Sequence, residues 1–162
     1  MSSRVRVGHG GRSREHARGD REWRRHARCG TVRSLSGRMV ALYAAAAALY
    51  LTGLAHSYLG ERYILIRLFR RDNLPALLGG TAFTTGTLRF VWHLTTIAWW
   101  GLATLLVMAT HGAPTRAQVL DVIGITCLVS AVFPIVFTRG RHLSWVVFLL
   151  AGALTLIAAH GG

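Results

Sequence analysis

The sequence contains no lysine and only six acidic residues, although it has 19 basic residues, all arginine, and a formal net charge of +13. Charged residues make up 15% of the chain, compared with about 25% in a typical soluble domain. Hydrophobic residues make up 52%. The two cysteines, Cys29 and Cys127, are too few for a disulfide framework. These deficits exclude most soluble folds and the small disulfide-bonded secreted domains.

The positive charge is concentrated at the amino terminus. Eleven of the 19 arginines lie in residues 1–38, and the remaining 124 residues hold eight arginines with Glu61, Asp72 and Asp121. The first 38 residues are rich in Arg, Gly, Ser and His and lack apolar periodicity, so we expect a disordered arm there. Because Trp23 is the arm's only aromatic residue, nucleic-acid binding is not expected, and anionic lipid is the expected partner.

Four apolar segments dominate the rest of the chain. Each is long enough to cross a hydrocarbon core of about 30 Å as a helix, and none has Asp, Glu, Arg or Lys near its centre. We therefore predict an all-α membrane domain over residues 39–162, folded as a transmembrane bundle of four helices. The predicted spans are about residues 39–59, 90–110, 119–137 and 143–160.

The connection after the first span has the composition of a different kind of helix. Residues 61–71 (ERYILIRLFRR) place apolar side chains among arginines, which is typical of a short amphipathic helix lying in the membrane interface. Residues 74–88 are uncharged, so a re-entrant segment there is left open. The arginines expected to face the lipid headgroups are Arg62, Arg67, Arg70 and Arg71.

The orientation predicted by the positive-inside rule depends on the arm. With the arm, the amino-terminal side has 12 arginines against seven, which puts both termini in the cytoplasm. Without the arm, the ratio is one to seven and the topology inverts. Met39 stands where an initiator would precede the first span. We therefore also consider translation from Met39, with residues 1–38 as an upstream extension.

Catalytic arrangements are scarce in the predicted spans. A carboxylate in mid-membrane, which proton-coupled transport commonly uses, is missing from all four segments. No serine lies in a nucleophile-elbow setting, and Asp121 is expected at the opposite surface from His56 and His93. We therefore expect a non-enzymatic membrane component, namely a subunit, assembly factor or scaffold. Such a component would contact the lipid bilayer and a membrane protein partner or a second copy of itself.

Histidines near one end of the predicted bundle mark a candidate polar site. When the helices alternate in direction, His56 and His93 fall on the same side of the membrane as Glu61 and Arg89. Histidines on facing helices can ligate haem or a metal ion, so His56 and His93 are the candidate cofactor ligands. Glu61 is expected to pair with Arg89 or to orient an imidazole.

Two alternatives to a scaffold remain open for this site. The first is a haem- or metal-binding membrane redox protein that uses His56 and His93 as ligands. The second is an enzyme acting on a lipid at the interface, with Glu61 or a histidine as the acid–base group. The other histidines of the membrane domain, expected to be structural, are His111, His142 and His160.

Two short stretches carry a resemblance to a known group of proteins. The sequences HSYLGE (His56 to Glu61) and RFVWH (Arg89 to His93) resemble stretches in small bacterial integral membrane proteins of four predicted helices. The resemblance covers about residues 39–160. It implies that fold and a multi-pass location in the bacterial inner membrane, and it implies no activity. The arginine-rich, lysine-free composition also indicates a GC-rich bacterial genome.

Overall fold

A computed structural model of the protein describes residues 36–71, 73–78 and 80–161. The chain divides into two units, Met1–Ala41 and Leu42–Gly162. Of the first unit only residues 36–41 are described, and they are helical. The predicted arm, residues 1–38, therefore falls almost entirely outside the described residues.

The described part of the chain is all-helical and contains no strand. Three long helices are apolar enough to cross a membrane, and a shorter apolar helix of 17 residues follows them. Each predicted span falls on one of these helices, although the fourth begins one residue before its helix, so the all-α class is confirmed. The length and apolar composition of the helices support a membrane protein. The helices are α1 (Ser36–Leu68), α2 (Thr81–Thr110), α3 (Arg116–Thr138) and α4 (Ser144–His160).

The first helix does not end at Leu59, where the predicted span ended. It continues through a π-helical turn at Gly60–Leu65 and ends at Leu68. Residues 61–68 are therefore the end of α1, which corrects the prediction of a separate interfacial helix. The sequence offers no proline to break the helix, and the weak helix former Gly60 packs against Trp92.

The second helix begins earlier than its predicted span. Residues 81–88 form the first turns of α2, so they are not a separate re-entrant segment. Two hydrogen bonds hold the preceding connection, one from α2 and one from the connection between α3 and α4. The Thr84 hydroxyl donates to the Pro75 carbonyl at 2.7 Å, and Arg141 Nη2 donates to the Leu78 carbonyl at 2.6 Å.

Small residues on α1 let α2 approach closely. The indole of Trp100 lies against Gly53 and that of Trp92 against Gly60, where an added Cβ would collide with the ring. The indole N–H of Trp92 also donates to the His56 carbonyl at 3.0 Å. Both tryptophans therefore join the two helices.

The fourth helix crosses α3 through a pair of glycines. A Cβ on Gly152 would lie 2.7 Å from the Leu128 side chain, and one on Gly124 would lie 2.8 Å from Leu156. Among the described helices, α2 packs on α3 and α3 packs on α4, whereas the backbones of α2 and α4 do not approach each other closely. The glycine pair was not singled out in the sequence, and it explains why α4 packs on α3.

Candidate functional site

Three of the four predicted polar-site residues come together between α1 and α2. Glu61 lies in the π-helical turn of α1, and Arg89 and His93 lie one turn apart on α2. Arg89 Nη2 is 2.7 Å from Glu61 Oε1, and Arg89 Nε donates to Glu61 Oε2 at 3.1 Å. The two side chains form a bidentate ion pair, 32% and 30% exposed. The Arg89 guanidinium also lies 5.1 Å above the Phe69 ring.

His93 extends the ion pair into a longer series of contacts. Its Nε2 is 3.6 Å from Glu61 Oε2, and its Nδ1 is 2.9 Å from Ser57 Oγ. Ser57 Oγ is 2.8 Å from Thr96 Oγ1, which donates to the Gly53 carbonyl at 3.1 Å. We call the series Arg89, Glu61, His93, Ser57 and Thr96 the polar chain. It alternates between the two helices and joins them over two turns.

The polar chain ends at the Gly53 carbonyl, and this acceptor fixes the direction of the hydrogen bonds before it. A carbonyl can only accept, so Thr96 donates to Gly53 and accepts the hydrogen of Ser57. Ser57 then accepts from His93 Nδ1–H. The network thus assigns the proton of a neutral His93 to Nδ1. Nε2 then carries no hydrogen and faces Glu61.

His56, the fourth predicted residue, belongs to a separate cluster. Its ring stacks on Trp92 at a centroid distance of 4.4 Å and meets the edge of Trp99 at 5.1 Å. Its Nε2 is 3.0 Å from Thr95 Oγ1, which donates to the Trp92 carbonyl at 2.7 Å. A neutral His56 therefore carries its proton on Nε2. Because Trp92 and His93 are consecutive on α2, this cluster and the polar chain occupy different faces of the helix.

The two candidate cofactor ligands belong to separate clusters on different faces of α2. In the residues that the structure describes, no group of three or more His, Cys, Asp or Glu side chains could hold a metal ion. His93 Nδ1 is 2.9 Å from Ser57 and its Nε2 is 3.6 Å from Glu61, whereas the His56 ring stacks on Trp92 and its Nε2 is bonded to Thr95. Ligation of one haem iron by both histidines would require the rings to leave these separate positions. The haem or metal hypothesis stays a prediction that requires a rearranged site.

The predicted interfacial arginines remain exposed at the end of α1 and just beyond it. Arg67 lies 5.8 Å above the Tyr63 ring. At the end of α3, Arg139 and Arg141 are also exposed. Within the described part of the chain, Arg89 is the arginine that forms an ion pair. The predicted interfacial arginines, all exposed, are Arg62, Arg67, Arg70 and Arg71.

The opposite ends of the helices hold two further histidine contacts. His160 Nε2 is 2.7 Å from Asp121 Oδ1, which joins the end of α4 to the first turns of α3. His111 Nε2 is 3.4 Å from the Tyr43 hydroxyl, which joins the end of α2 to α1. Both contacts bridge neighbouring helices, in agreement with the structural role expected for these histidines.

Sequence reasoning did not assign Ser57 and Thr96 to the site. Their helical spacing carries the signal, because Ser57 lies four residues before Glu61 and Thr96 lies three residues after His93. Residues with these spacings share one face of a helix. A search for hydroxyl residues at these positions would have found both.

Comparison of the chain with protein-family models, with curated proteins and with solved structures finds no match. The resemblance carried by HSYLGE and RFVWH therefore stays an expectation. The contacts of the polar chain and the exposed helix faces are the basis for a functional proposal.

Proposed function

We propose that the protein is a four-span protein of the bacterial inner membrane that acts as a non-enzymatic subunit, assembly factor or scaffold. The observation that supports this is the internal pairing of the candidate site. Arg89 holds both oxygens of Glu61, and His93 is held between Glu61 and Ser57. These groups bond to one another rather than to an open substrate position, so their physical effect is to join α1 to α2.

The proposed membrane position follows from helix length and from the tyrosines. At 30 residues, α2 is about 45 Å long, so it extends beyond a hydrocarbon core of about 30 Å. Tyr58 and Tyr63 flank Glu61 on α1 and are 63% and 52% exposed. Tyrosine is enriched where a helix meets the membrane–water interface. We therefore place the polar chain near one interface, where a half-exposed ion pair costs less than in the core.

The proposed fourth span depends on α4. Its 17 residues reach about 26 Å, slightly less than a typical core, and modest bilayer thinning accommodates such a mismatch. No ionisable residue other than His160, at its last position, lies within it. Its close crossing with α3 at Gly124 and Gly152 supports insertion beside α3, because small residues favour helix association in membranes.

A partner is proposed from the outer faces of the helices. Only 11% of the most apolar window of α1 is buried, compared with 22% for α3. Leu51 and Leu54 on α1 are 66% and 58% exposed, and Val147 and Leu154 on α4 are 66% and 63% exposed. In a membrane these faces meet lipid or another helix. A subunit or scaffold would use at least one of them for a second copy or another membrane protein.

Site-specific photo-cross-linking in native membranes tests the proposal. A photoreactive phenylalanine analogue replaces Leu54 on α1 or Val147 on α4 in the full chain at its natural expression level. We expect a discrete protein adduct from at least one face, and a buried position, Ala103, serves as the control that gives none. Lipid adducts alone from both faces would contradict the proposal. So would a lipid-converting activity that Glu61→Gln abolishes without loss of fold.

A further inference from the structure

A cleft outside the polar chain lies where α2 begins and α3 ends. Its volume is about 260 Å³, and its lining combines two arginines with two phenylalanines. The rings come from the first turn of α2 and the last turn of α3. The lining residues are Ala82, Phe83, Phe137, Thr138, Arg139 and Arg141.

The backbone fixes both arginines at this cleft. Arg139 ends α3 in the left-handed conformation (φ 55°), which a side-chain-bearing residue rarely adopts, and Gly140 follows with φ 73°. Arg141 Nη2 donates to the Leu78 carbonyl at 2.6 Å, which anchors one edge of its guanidinium. The remaining guanidinium N–H groups of Arg141 and all those of Arg139 have no hydrogen-bond partner among the described residues.

The charge at this cleft is uncompensated in the described part of the chain. Neither Arg139 nor Arg141 pairs with a carboxylate there, and Glu61 is already held by Arg89. Arginine recognises phosphate through its planar fork of N–H donors, and two of them match the several oxygens of one phosphate. The phenyl rings of Phe83 and Phe137 add an apolar surface that a free phosphate ion would not use.

We propose that this cleft binds the phosphodiester of an anionic membrane lipid. Arg139 and Arg141 hold the phosphate oxygens, and Phe83 and Phe137 contact the glycerol and the upper acyl chain. The inference rests on the proposed membrane insertion, because only then do the first turn of α2 and the last turn of α3 lie at the level of lipid headgroups. It differs from a general attraction of basic residues to an anionic surface, because it assigns the binding to one cleft.

Lipid binding to the purified full chain, measured by native mass spectrometry, tests this inference. The probes are phosphatidylglycerol, zwitterionic phosphatidylcholine, and glycerol 3-phosphate as a free competitor. We expect phosphatidylglycerol to bind more tightly than phosphatidylcholine. Arg139→Gln should weaken it about fivefold and the double variant with Arg141→Gln about 25-fold. Arg139→Gln is the decisive single variant, because Arg141 also anchors the connection before α2.

The matched control removes the same charge elsewhere. Arg116→Gln, matched to the single variant Arg139→Gln, changes an exposed arginine at the start of α3, and we expect less than about a twofold loss. An equal loss in the control, equal binding of phosphatidylcholine, or displacement of the lipid by glycerol 3-phosphate would overturn the inference. Extraction of membranes with alkaline carbonate separates the two proposals. A chain that is extracted contradicts the membrane proposal, whereas an inserted chain without lipid selectivity contradicts only this one.

Discussion

The imidazole of His93 faces the Glu61 carboxylate across 3.6 Å, while its other nitrogen is 2.9 Å from the Ser57 hydroxyl. One side chain of α2 thereby contacts two turns of α1. Because the Arg89 guanidinium binds the same carboxylate, the ion pair and the hydrogen bonds of Ser57 form one connected series between the two helices. This relationship makes the polar chain a continuous polar connection between α1 and α2.

His93 and His142, when neutral, are expected to be different tautomers. His93 should carry its proton on Nδ1, because Ser57 must accept from it. His142 should carry its proton on Nε2, because the Ser144 backbone N–H donates to its Nδ1 at 3.3 Å. Ring-nitrogen chemical shifts of the ¹⁵N-histidine-labelled protein distinguish the two. A neutral His93 protonated on Nε2 would contradict the assigned direction of the polar chain.

The Glu61–Arg89 pair should show energetic coupling in a double-mutant cycle. Glu61→Gln or Arg89→Gln leaves a partly buried charge without its partner, so each should lower the free energy of unfolding by about 1–2 kcal/mol. The double variant should lose less than the sum, with a coupling of about 1 kcal/mol. Unfolding in mixed detergent micelles measures all four proteins.

The control for this cycle is Arg62→Gln, an exposed arginine on α1 that has no ion pair in the described part of the chain. Its effect should stay within about 0.5 kcal/mol. Strictly additive effects of Glu61→Gln and Arg89→Gln would mean that the bidentate pair does not stabilise the fold.

Gly60→Ala should destabilise the protein, although alanine is the better helix former by about 1 kcal/mol. An added Cβ would overlap the Trp92 indole, so α1 and α2 must separate or the ring must move. Overpacking of this kind costs about 1–3 kcal/mol. Gly37→Ala is the matched control, because Gly37 is helical and nothing lies within 4 Å of its added Cβ. A stabilised Gly60→Ala protein would show that the helices are not in close contact there.

The helical class was predictable from the sequence, but the helix ends were not. Long uncharged apolar runs leave few alternatives to helices in a membrane, so all four segments were found. The continuation of α1 through Gly60–Leu65 and the early start of α2 at Thr81 add polar turns to both helices. These turns are stabilised by contacts between helices, such as Glu61 with Arg89, which a local pattern does not contain.

The candidate site was found in part for a similar reason. Alternating helix direction placed Glu61, Arg89 and His93 at one level, and the structure brings them together. The alternation of helix direction did not fix the rotation of each helix. His56 was therefore grouped with these residues, although it contacts Trp92 on another face. Packing of the tryptophans against small residues sets that rotation.

The visible absorption spectrum of the purified protein tests the haem hypothesis. We expect no Soret band, because His56 stacks on Trp92 and is bonded to Thr95, in a cluster separate from His93 and Ser57. A Soret band that disappears in both His56→Ala and His93→Ala would contradict this expectation. It would also show that the two histidines rearrange around iron.

Sided labelling of single-cysteine variants tests the proposed four-span topology most directly. Cys29 and Cys127 are replaced, and a cysteine is introduced at one exposed position in each loop or end. The four variants are Arg71→Cys, Ala113→Cys, Leu143→Cys and Gly161→Cys.

An impermeant thiol reagent applied to sealed vesicles of known orientation reads the side of each cysteine. We expect positions 71 and 143 to label from one side and positions 113 and 161 to label from the other. Labelling of position 161 from the same side as position 143 would contradict this expectation, because α4 would then not cross the membrane.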